Sequence, residues 1–274
     1  MSKCNFTVAE IKSKYNEKIA RDRREAIDLE NRNLWGHYVL RTLSYHPSWL
    51  FLKLGISANG VTLIAFIIGL IGCVLLALGN YVGIIIGALL LNIWALLDYV
   101  DGHVARCSGS SSGYGRFVDS VNDHVICCLL FICASIGAFL SFDIHPDPLS
   151  YFIVKGNLDK SIFLVLGGWA SVFYLLLHII SYNSERMLAG SVLPVIADLK
   201  IKGFSSNLLN KVGFTLNTAT GIVTPVLLLA AIFKLLGIFV ALWALMNTVA
   251  FAFLLLHILR KGRAIEVERS QQGE

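Results

Sequence analysis

Four aspartates lie at or near the ends of two long apolar runs: Asp98, Asp101, Asp119 and Asp123. A spacing of three in the first pair and four in the second places each pair on one face of a helix. Carboxylates beside apolar segments are unfavourable unless they are compensated, and four together repel one another. We therefore expect bound cations. Because the ligands are carboxylate oxygens, without histidine or cysteine, we predict two Mg²⁺ or Mn²⁺ ions rather than zinc.

Two such ions can clamp a phosphate and polarise both the attacking and the leaving oxygen. The aspartate pattern therefore predicts an enzyme that acts on a phosphate ester. A plainer interpretation pairs the acids with Arg106 and Arg116, but two cations do not neutralise four carboxylates. His103 and His124 adjoin the acids, and by spacing we interpret them as interfacial packing residues rather than ligands.

Small residues accompany the aspartates. Gly102 and Ala105 share a stretch with the first pair, and Gly115 lies four residues before Asp119. Small side chains let a ligand, or a neighbouring helix, come close to the backbone. Arg106 suits a phosphate group, and it equally suits an anchor at the membrane interface.

Composition identifies the setting of this cluster. The chain has 274 residues, of which 56% are hydrophobic and 15% charged, against about 25% charged in an average soluble domain. With a mean hydropathy of +0.69, the sequence predicts an all-α integral membrane protein. The six cysteines contain no Cys-x2-Cys pair, so we expect buried thiols. The N-terminus lacks the short apolar core of a cleaved signal peptide.

Apolar runs of about the length that crosses hydrocarbon predict six transmembrane helices. A turn at Gly79 and Asn80 separates the first two, and we expect Pro225 to kink the fifth. Residues 142–160, with Pro146 and Pro148, are predicted to form a loop, as is the Ser- and Gly-rich stretch 107–114. The six predicted spans are residues 61–78, 81–97, 117–140, 161–180, 218–236 and 238–259.

The segment before the spans divides into two parts. Residues 1–33 are predicted to form a solvated helix that opens with a capping box from Thr7 to Glu10. Residues 34–54 mix aromatic and basic side chains, which is typical of an amphipathic helix on the membrane surface, and Pro47 should break or bend it. We therefore divide the chain into residues 1–54, a six-span domain 55–260 and a polar tail 261–274.

The distribution of basic residues predicts the orientation. With a cytoplasmic N-terminus, 20 of the 23 Lys and Arg residues lie on the cytoplasmic side. Both termini and all four aspartates are then cytoplasmic, and the membrane is the cell inner membrane or the endoplasmic reticulum. Contact of the basic cytoplasmic side with anionic membrane lipid accounts for the net charge of +5, so we predict no nucleic-acid partner. An ion or proton transporter is a distant alternative, because its acids would lie near the bilayer midplane.

A family resemblance rests on the spacing of these residues. The sequence Asp98-x2-Asp101-Gly102-x2-Ala105-Arg106-x8-Gly115-x3-Asp119-x3-Asp123 resembles, at every fixed position, the signature of the CDP-alcohol phosphotransferase family. From average residue frequencies such a match arises on the order of once in 10⁷–10⁸ chains of this length. In this family an alcohol attacks a CDP-linked donor, and CMP leaves.

The resemblance assigns roles to individual residues. It implies that the four aspartates hold two metal ions and that Asp123 is the general base. It also implies a homodimer. The residues implied to bind CDP are Asp101, Gly102, Ala105, Arg106 and Gly115.

Two further segments resemble the family less closely. Residues 56–62 match the start of the first span, with Ala58 in place of a common proline, and Asn59 and Thr62 are candidate contacts to the nucleotide or the acceptor. Arg186, after the fourth span, is a candidate contact to the acceptor. Enzymes for phosphorylated acceptors carry another basic residue where this chain has Ser184, and an acidic residue where it has Leu188.

These departures favour an unphosphorylated alcohol, such as a neutral polyol, as the acceptor. The length of the chain favours CDP-diacylglycerol as the donor. The alternative is transfer from CDP-choline or CDP-ethanolamine to a lipid alcohol. The sequence thus predicts a metal-dependent transferase of phospholipid biosynthesis.

Overall fold

A computed structural model describes residues 6–21, 35–189 and 222–272. Within these ranges every regular element is helical, which confirms that the fold is all-α. A π-helical turn, Gly36–Leu40, leads into the second helix. The helices are α1 Val8–Arg21, α2 Arg41–Lys53, α3 Ala58–Ala77, α4 Tyr81–Ser108, α5 Gly113–Ser141, α6 Pro148–Lys155, α7 Ile162–Ala189, α8 Thr224–Ile232 and α9 Leu236–Gln272.

Five helical segments among the described residues are long and apolar enough to cross a membrane. They are Ala58–Ala77, Tyr81–Ser108, Gly113–Ser141, Ile162–Ile180 and Leu236–Leu256. The chain is therefore an all-α integral membrane protein. Of the predicted fifth span, the structure describes α8, and residues 218–221 lie outside the described ranges. Pro225 lies in the first turn of α8, a position where proline is tolerated.

Helix α3 packs on both α4 and α5. Glycines bring the backbones together. A Cβ at Gly87 of α4 would lie 2.6 Å from the Gly72 carbonyl oxygen and 2.7 Å from the Leu76 nitrogen. A Cβ at Gly137 of α5 would collide with the carbonyl oxygen of Leu76. Such close contact fixes the three helices by backbone packing, as is common in membranes.

Helices α4 and α5 extend well beyond the predicted spans. The predicted loop 107–114 is reduced to residues 109–112. Gly109, with φ +68°, ends α4 in the left-handed conformation that favours glycine. The Ser112 hydroxyl then accepts a hydrogen bond from the Gly115 N–H at 3.0 Å and caps α5. All four aspartates consequently lie on continuous helix rather than at its frayed ends.

Helix α1 corrects the prediction of a wholly solvated N-terminal helix. Its capping box is present: the Thr7 N–H donates to Glu10 Oε2 at 2.7 Å, and the Glu10 N–H donates to Thr7 Oγ1 at 3.3 Å. The bond from the Thr7 N–H lowers the pKa of the exposed Glu10. However, Ile11 and Tyr15, four residues apart, are 1% and 5% exposed. They pack α1 against α2 and α4, and residues 22–34 lie outside the described ranges.

Helix α2 runs through Pro47 without a break, contrary to one of the two outcomes predicted for this proline. Three of its four buried residues are polar, Arg41, Ser44 and Ser48, and the fourth is Leu52, whereas Leu43 and Leu50 are exposed. Part of the apolar surface of this helix therefore faces away from the protein.

The predicted loop 142–160 contains a helix, α6. Asp147 forms a capping box with Ser150 at its start, and the two prolines precede or begin the helix, where proline is tolerated. Asp147 Oδ2 also accepts a hydrogen bond from the Ile238 N–H at 3.0 Å, which ties α6 to the start of α9. Helix α9 itself continues to Gln272, so the predicted polar tail is helical over its described part.

Candidate active site

Three of the four aspartates converge in the fold. Asp98 on α4 and Asp119 and Asp123 on α5 each bring a carboxylate oxygen within 4.8 Å of the other two. The spacing of four within α5 places its pair on one face, and the contact of α3 with both helices sets the approach of that face to Asp98. This arrangement concentrates negative charge in a partly buried position, where a counter-charge is required.

Asp101 lies beside this group rather than within it. Its side chain is 7% exposed, and Oδ2 accepts a hydrogen bond from the Thr62 hydroxyl of α3 at 2.5 Å. Asp101 and Asp119 line the same cavity. The sequence spacing thus placed all four acids at one site, while the structure separates a group of three carboxylates from a fourth that α3 holds in place.

The unpartnered oxygens indicate what the acids can bind. Within the described ranges, Asp119 Oδ1 and Asp123 Oδ1 are buried and accept no hydrogen bond. Buried carboxylate oxygens that no donor reaches are costly, and a hard divalent cation would satisfy them. The residues therefore fit a Mg²⁺ or Mn²⁺ centre made of oxygen ligands.

A cavity of about 590 Å³ opens beside the aspartates, within the range of about 300–1,000 Å³ typical of small-molecule sites. It is lined by the start of α3, the last turns of α4 and the first turns of α5. All of the residues predicted to bind CDP line it, and so do the two candidate contacts to the nucleotide or the acceptor: Asp101, Gly102, Ala105, Arg106 and Gly115, with Asn59 and Thr62.

Arg106 is supported from two directions. Its Nη2 donates to His103 Nδ1 at 3.2 Å, and its guanidinium lies 5.7 Å from the centroid of the Tyr15 ring. His103 is 1% exposed and packs under Tyr15 and Tyr45, which agrees with its interpretation as a packing residue. A Cβ at Gly102 would lie 3.2 Å from Arg106 Nη1, so the glycine leaves room for the guanidinium.

Gly115 likewise leaves room where the start of α5 approaches the start of α3. A Cβ there would lie 3.3 Å from Ser112 Oγ and 3.4 Å from Asn59 Oδ1. Its absence keeps the start of α5 close to the start of α3. His124, beside Asp123, stacks edge-on against His178 with ring centroids 4.7 Å apart, which again fits a packing role.

The remaining predicted residue is Arg186. It lies within α7, but the structure does not describe its side chain, so the prediction about the acceptor falls outside the described residues.

The cavity also contains residues that the sequence analysis missed. Lys14 and Glu17 of α1 line it, as do Arg116 and residues 109–112. The i, i+4 pair Ile11 and Tyr15 is the sequence signal that would have indicated a packed rather than a solvated helix.

Comparison with known proteins identifies relatives of this arrangement. A sequence profile of the family described as CDP-alcohol phosphatidyltransferase matches residues 55–254. An archaetidylinositol phosphate synthase from Pyrococcus horikoshii is 32% identical over 92 residues, which is 34% of this chain and 47% of the relative. A bifunctional IPC transferase and DIPP synthase from Thermococcus kodakarensis is 26% identical over 173 residues, 62% of this chain and 34% of the relative. The chain thus spans half or less of the length of these curated relatives.

Proposed function

The chain belongs to the CDP-alcohol phosphatidyltransferase family, and we propose that it moves a substituted phosphate from a CDP-linked donor to an alcohol, with release of CMP, in phospholipid biosynthesis. The observation that carries this proposal is the group of three carboxylates at the side of a 590 Å³ cavity. Phosphoryl transfer depends on positioning and charge neutralisation more than on covalent catalysis, and divalent cations held by these carboxylates would supply both.

Asp98, Asp101, Asp119 and Asp123 would hold two Mg²⁺ or Mn²⁺ ions. The buried, unpartnered oxygens of Asp119 and Asp123 support this role, and so does the oxygen-only ligand set. When bound, such ions neutralise the phosphates and polarise the oxygens that attack and leave.

The protein's own residues perform the remaining steps. The oxygen of the acceptor hydroxyl forms a bond to the phosphorus that carries the donor's own alcohol, and Asp123 accepts the proton of that hydroxyl. The bond from that phosphorus to the oxygen of CMP breaks, and CMP leaves with the electron pair. Arg106 donates hydrogen bonds to the phosphates, in the space that Gly102 leaves open. Asn59, Thr62, Ala105 and Gly115 shape the nucleotide pocket.

For the substrates we propose CDP-diacylglycerol as the donor and an unphosphorylated polyol as the acceptor. Ser184 and Leu188 replace the basic and acidic residues that accompany phosphorylated acceptors, and this departure supports the neutral alcohol. The name of the Pyrococcus relative points instead to an inositol phosphate, so that compound is the principal competitor. Arg186 would contact the acceptor in either case.

We further propose six spans, with α8 as the described part of the fifth, and α2 as a helix on the cytoplasmic membrane surface. The exposed Leu43, Leu50 and Leu54 would enter the lipid, while Lys53 lies 4.9 Å above the Trp49 ring in the manner of interfacial pairs. The bias of basic residues supports cytoplasmic termini and a cytoplasmic active site. The proposed divisions remain 1–54, 55–260 and 261–274, in a homodimer.

A substrate matrix tests the proposed reaction. The purified chain, in lipid nanodiscs with Mg²⁺, would be offered CDP-diacylglycerol, CDP-choline, CDP-ethanolamine and CDP-inositol against inositol, inositol phosphate, glycerol phosphate, serine and diacylglycerol. We expect CMP release with CDP-diacylglycerol and a polyol, and its loss in the variant Asp123→Asn. CMP release with inositol phosphate as the only effective acceptor would refute the proposal of an unphosphorylated acceptor. CMP release that is undiminished in Asp123→Asn would refute the assignment of Asp123 as the general base. A chain that releases CMP from none of the donors would refute the reaction class.

A further inference from the structure

Helix α1 lies outside the segment that the family profile matches, residues 55–254, yet it reaches the candidate active site. The side chains of Lys14 and Glu17 line the cavity together with Asp101, Arg106 and Asp119. A cationic side chain from the N-terminal segment therefore shares a cavity with the residues that the family uses for CDP and metal.

The placement of Lys14 is fixed by the way that α1 docks. On either side of it in sequence, Ile11 and Tyr15 are almost fully buried. Lys14 Nζ donates a hydrogen bond to the Cys107 carbonyl oxygen in the last turn of α4 at 3.1 Å. The Tyr15 ring contacts two arginines, with Arg41 at 4.4 Å and Arg106 at 5.7 Å from its centroid. The helix is thus tied to the end of α4 that carries Arg106.

The chemistry of the cavity indicates what Lys14 can bind. An ammonium group has three N–H donors. The carbonyl of Cys107 takes one and the Phe6 ring lies 4.3 Å from the same nitrogen, which leaves one N–H that can donate toward the cavity. The donor diphosphate is anionic along its whole length, whereas the aspartate group lies on one side of the cavity. A cation that lines the same cavity would neutralise phosphate charge that the aspartate site leaves.

We propose that α1 is a wall of the donor pocket and that Lys14 is a binding residue for the phosphates of the CDP-linked donor. This inference rests on the proposed function, since it assigns the cavity to CDP. It adds a donor-binding residue from outside the family-matched segment, and it gives helix α1 a part in substrate binding.

A purely structural role for Lys14 is separable from this one. If Lys14 only held α1 in place through its hydrogen bond to Cys107, an uncharged side chain with an N–H group would do so equally well. The variant Lys14→Gln keeps a side-chain N–H for the carbonyl and removes the charge. Lys14→Arg keeps both. Lys12→Gln removes a charge from an exposed position of the same helix that does not line the cavity, and it is the matched control.

The test measures CDP binding to the full chain in nanodiscs with Mg²⁺, by titration calorimetry, together with the KM for CDP-diacylglycerol. We expect Lys14→Gln to raise the Kd for CDP and the KM for the donor about tenfold, the scale of one charge-assisted hydrogen bond at a partly exposed site. The acceptor KM should stay unchanged, Lys14→Arg should recover most of the affinity, and Lys12→Gln should match the wild type.

Each other result overturns the inference. An unchanged Kd for CDP in Lys14→Gln would mean that Lys14 only holds α1 against α4. An equal loss of CDP affinity in Lys14→Gln and Lys14→Arg would mean the same. A change confined to the acceptor KM would assign the cation to the acceptor. A wild-type chain that neither binds CDP nor releases CMP would refute the proposed function itself, whereas wild-type binding with an unaffected Lys14→Gln refutes this inference alone.

Discussion

The hydrogen bond between Thr62 and Asp101 offers the sharpest test of how the fold supports the site. Both side chains are buried, at 6% and 7% exposure, and the hydroxyl lies 2.5 Å from Asp101 Oδ2. A hydroxyl has one proton, and its other acceptor, the Ala58 carbonyl, is farther away at 3.1 Å. The substitution Thr62→Val keeps the shape and removes the donor. A hydrogen bond to a charged group contributes about 1.5–3 kcal/mol, or about 10- to 100-fold in an equilibrium constant.

Loss of this hydrogen bond should weaken metal binding, because Thr62 orients Asp101, a proposed metal ligand. We expect the Mg²⁺ concentration for half-maximal CMP release to rise about 10- to 100-fold, the usual effect of removing such a supporting partner. Thr62→Ser, which keeps the hydroxyl, should stay close to the wild type. Thermal unfolding in EDTA checks that the valine variant is folded. An unchanged Mg²⁺ requirement in a folded Thr62→Val variant would refute the reasoning.

Three further outcomes follow from the geometry. Treatment with EDTA should abolish CMP release and added Mg²⁺ or Mn²⁺ should restore it, whereas activity that persists through chelation would contradict the metal assignment. Gly102→Val should displace Arg106, whose Nη1 lies 3.2 Å from an added Cβ, and raise the donor KM about tenfold; steady-state kinetics with an unchanged KM would exclude that role. Gly87→Ala should lower the free energy of unfolding by about 1–3 kcal/mol through its collision with α3, while Gly168→Ala, where no atom lies within 4 Å, should leave the melting temperature unchanged; equal melting of the two variants would argue against the packing.

The local features of the chain were predictable where physical periodicity governs them. Apolar runs located the helices, and the spacing of four placed Asp119 and Asp123 on one face, because helix geometry is a local property. The approach of Asp98 followed from the antiparallel order of two helices joined by a short loop. The capping box at Thr7 was predictable for the same reason. The helix α6 was missed because two prolines were interpreted as loop formers, although Pro148 begins the helix at a position where proline is favoured.

Long-range contacts were not predictable in this way. The sequence around Thr62 does not indicate that its hydroxyl donates a hydrogen bond to Asp101, 39 residues away. Lys14 lies in a stretch of mixed charge that is typical of a solvated helix, and its contact with Cys107 spans 93 residues. Such contacts depend on how whole helices pack, which the pattern of one helix does not encode.

The backbone contacts of α3 and the lining of the cavity involve different residues. Gly72, Gly87 and Gly137 set backbone against backbone, so a larger side chain at any of the three would push the helices apart. The cavity is lined in part by α1 and residues 109–112, which take no part in those glycine contacts. Substitutions in α1 can therefore change the lining of the cavity while the packing that holds α3, α4 and α5 together stays the same.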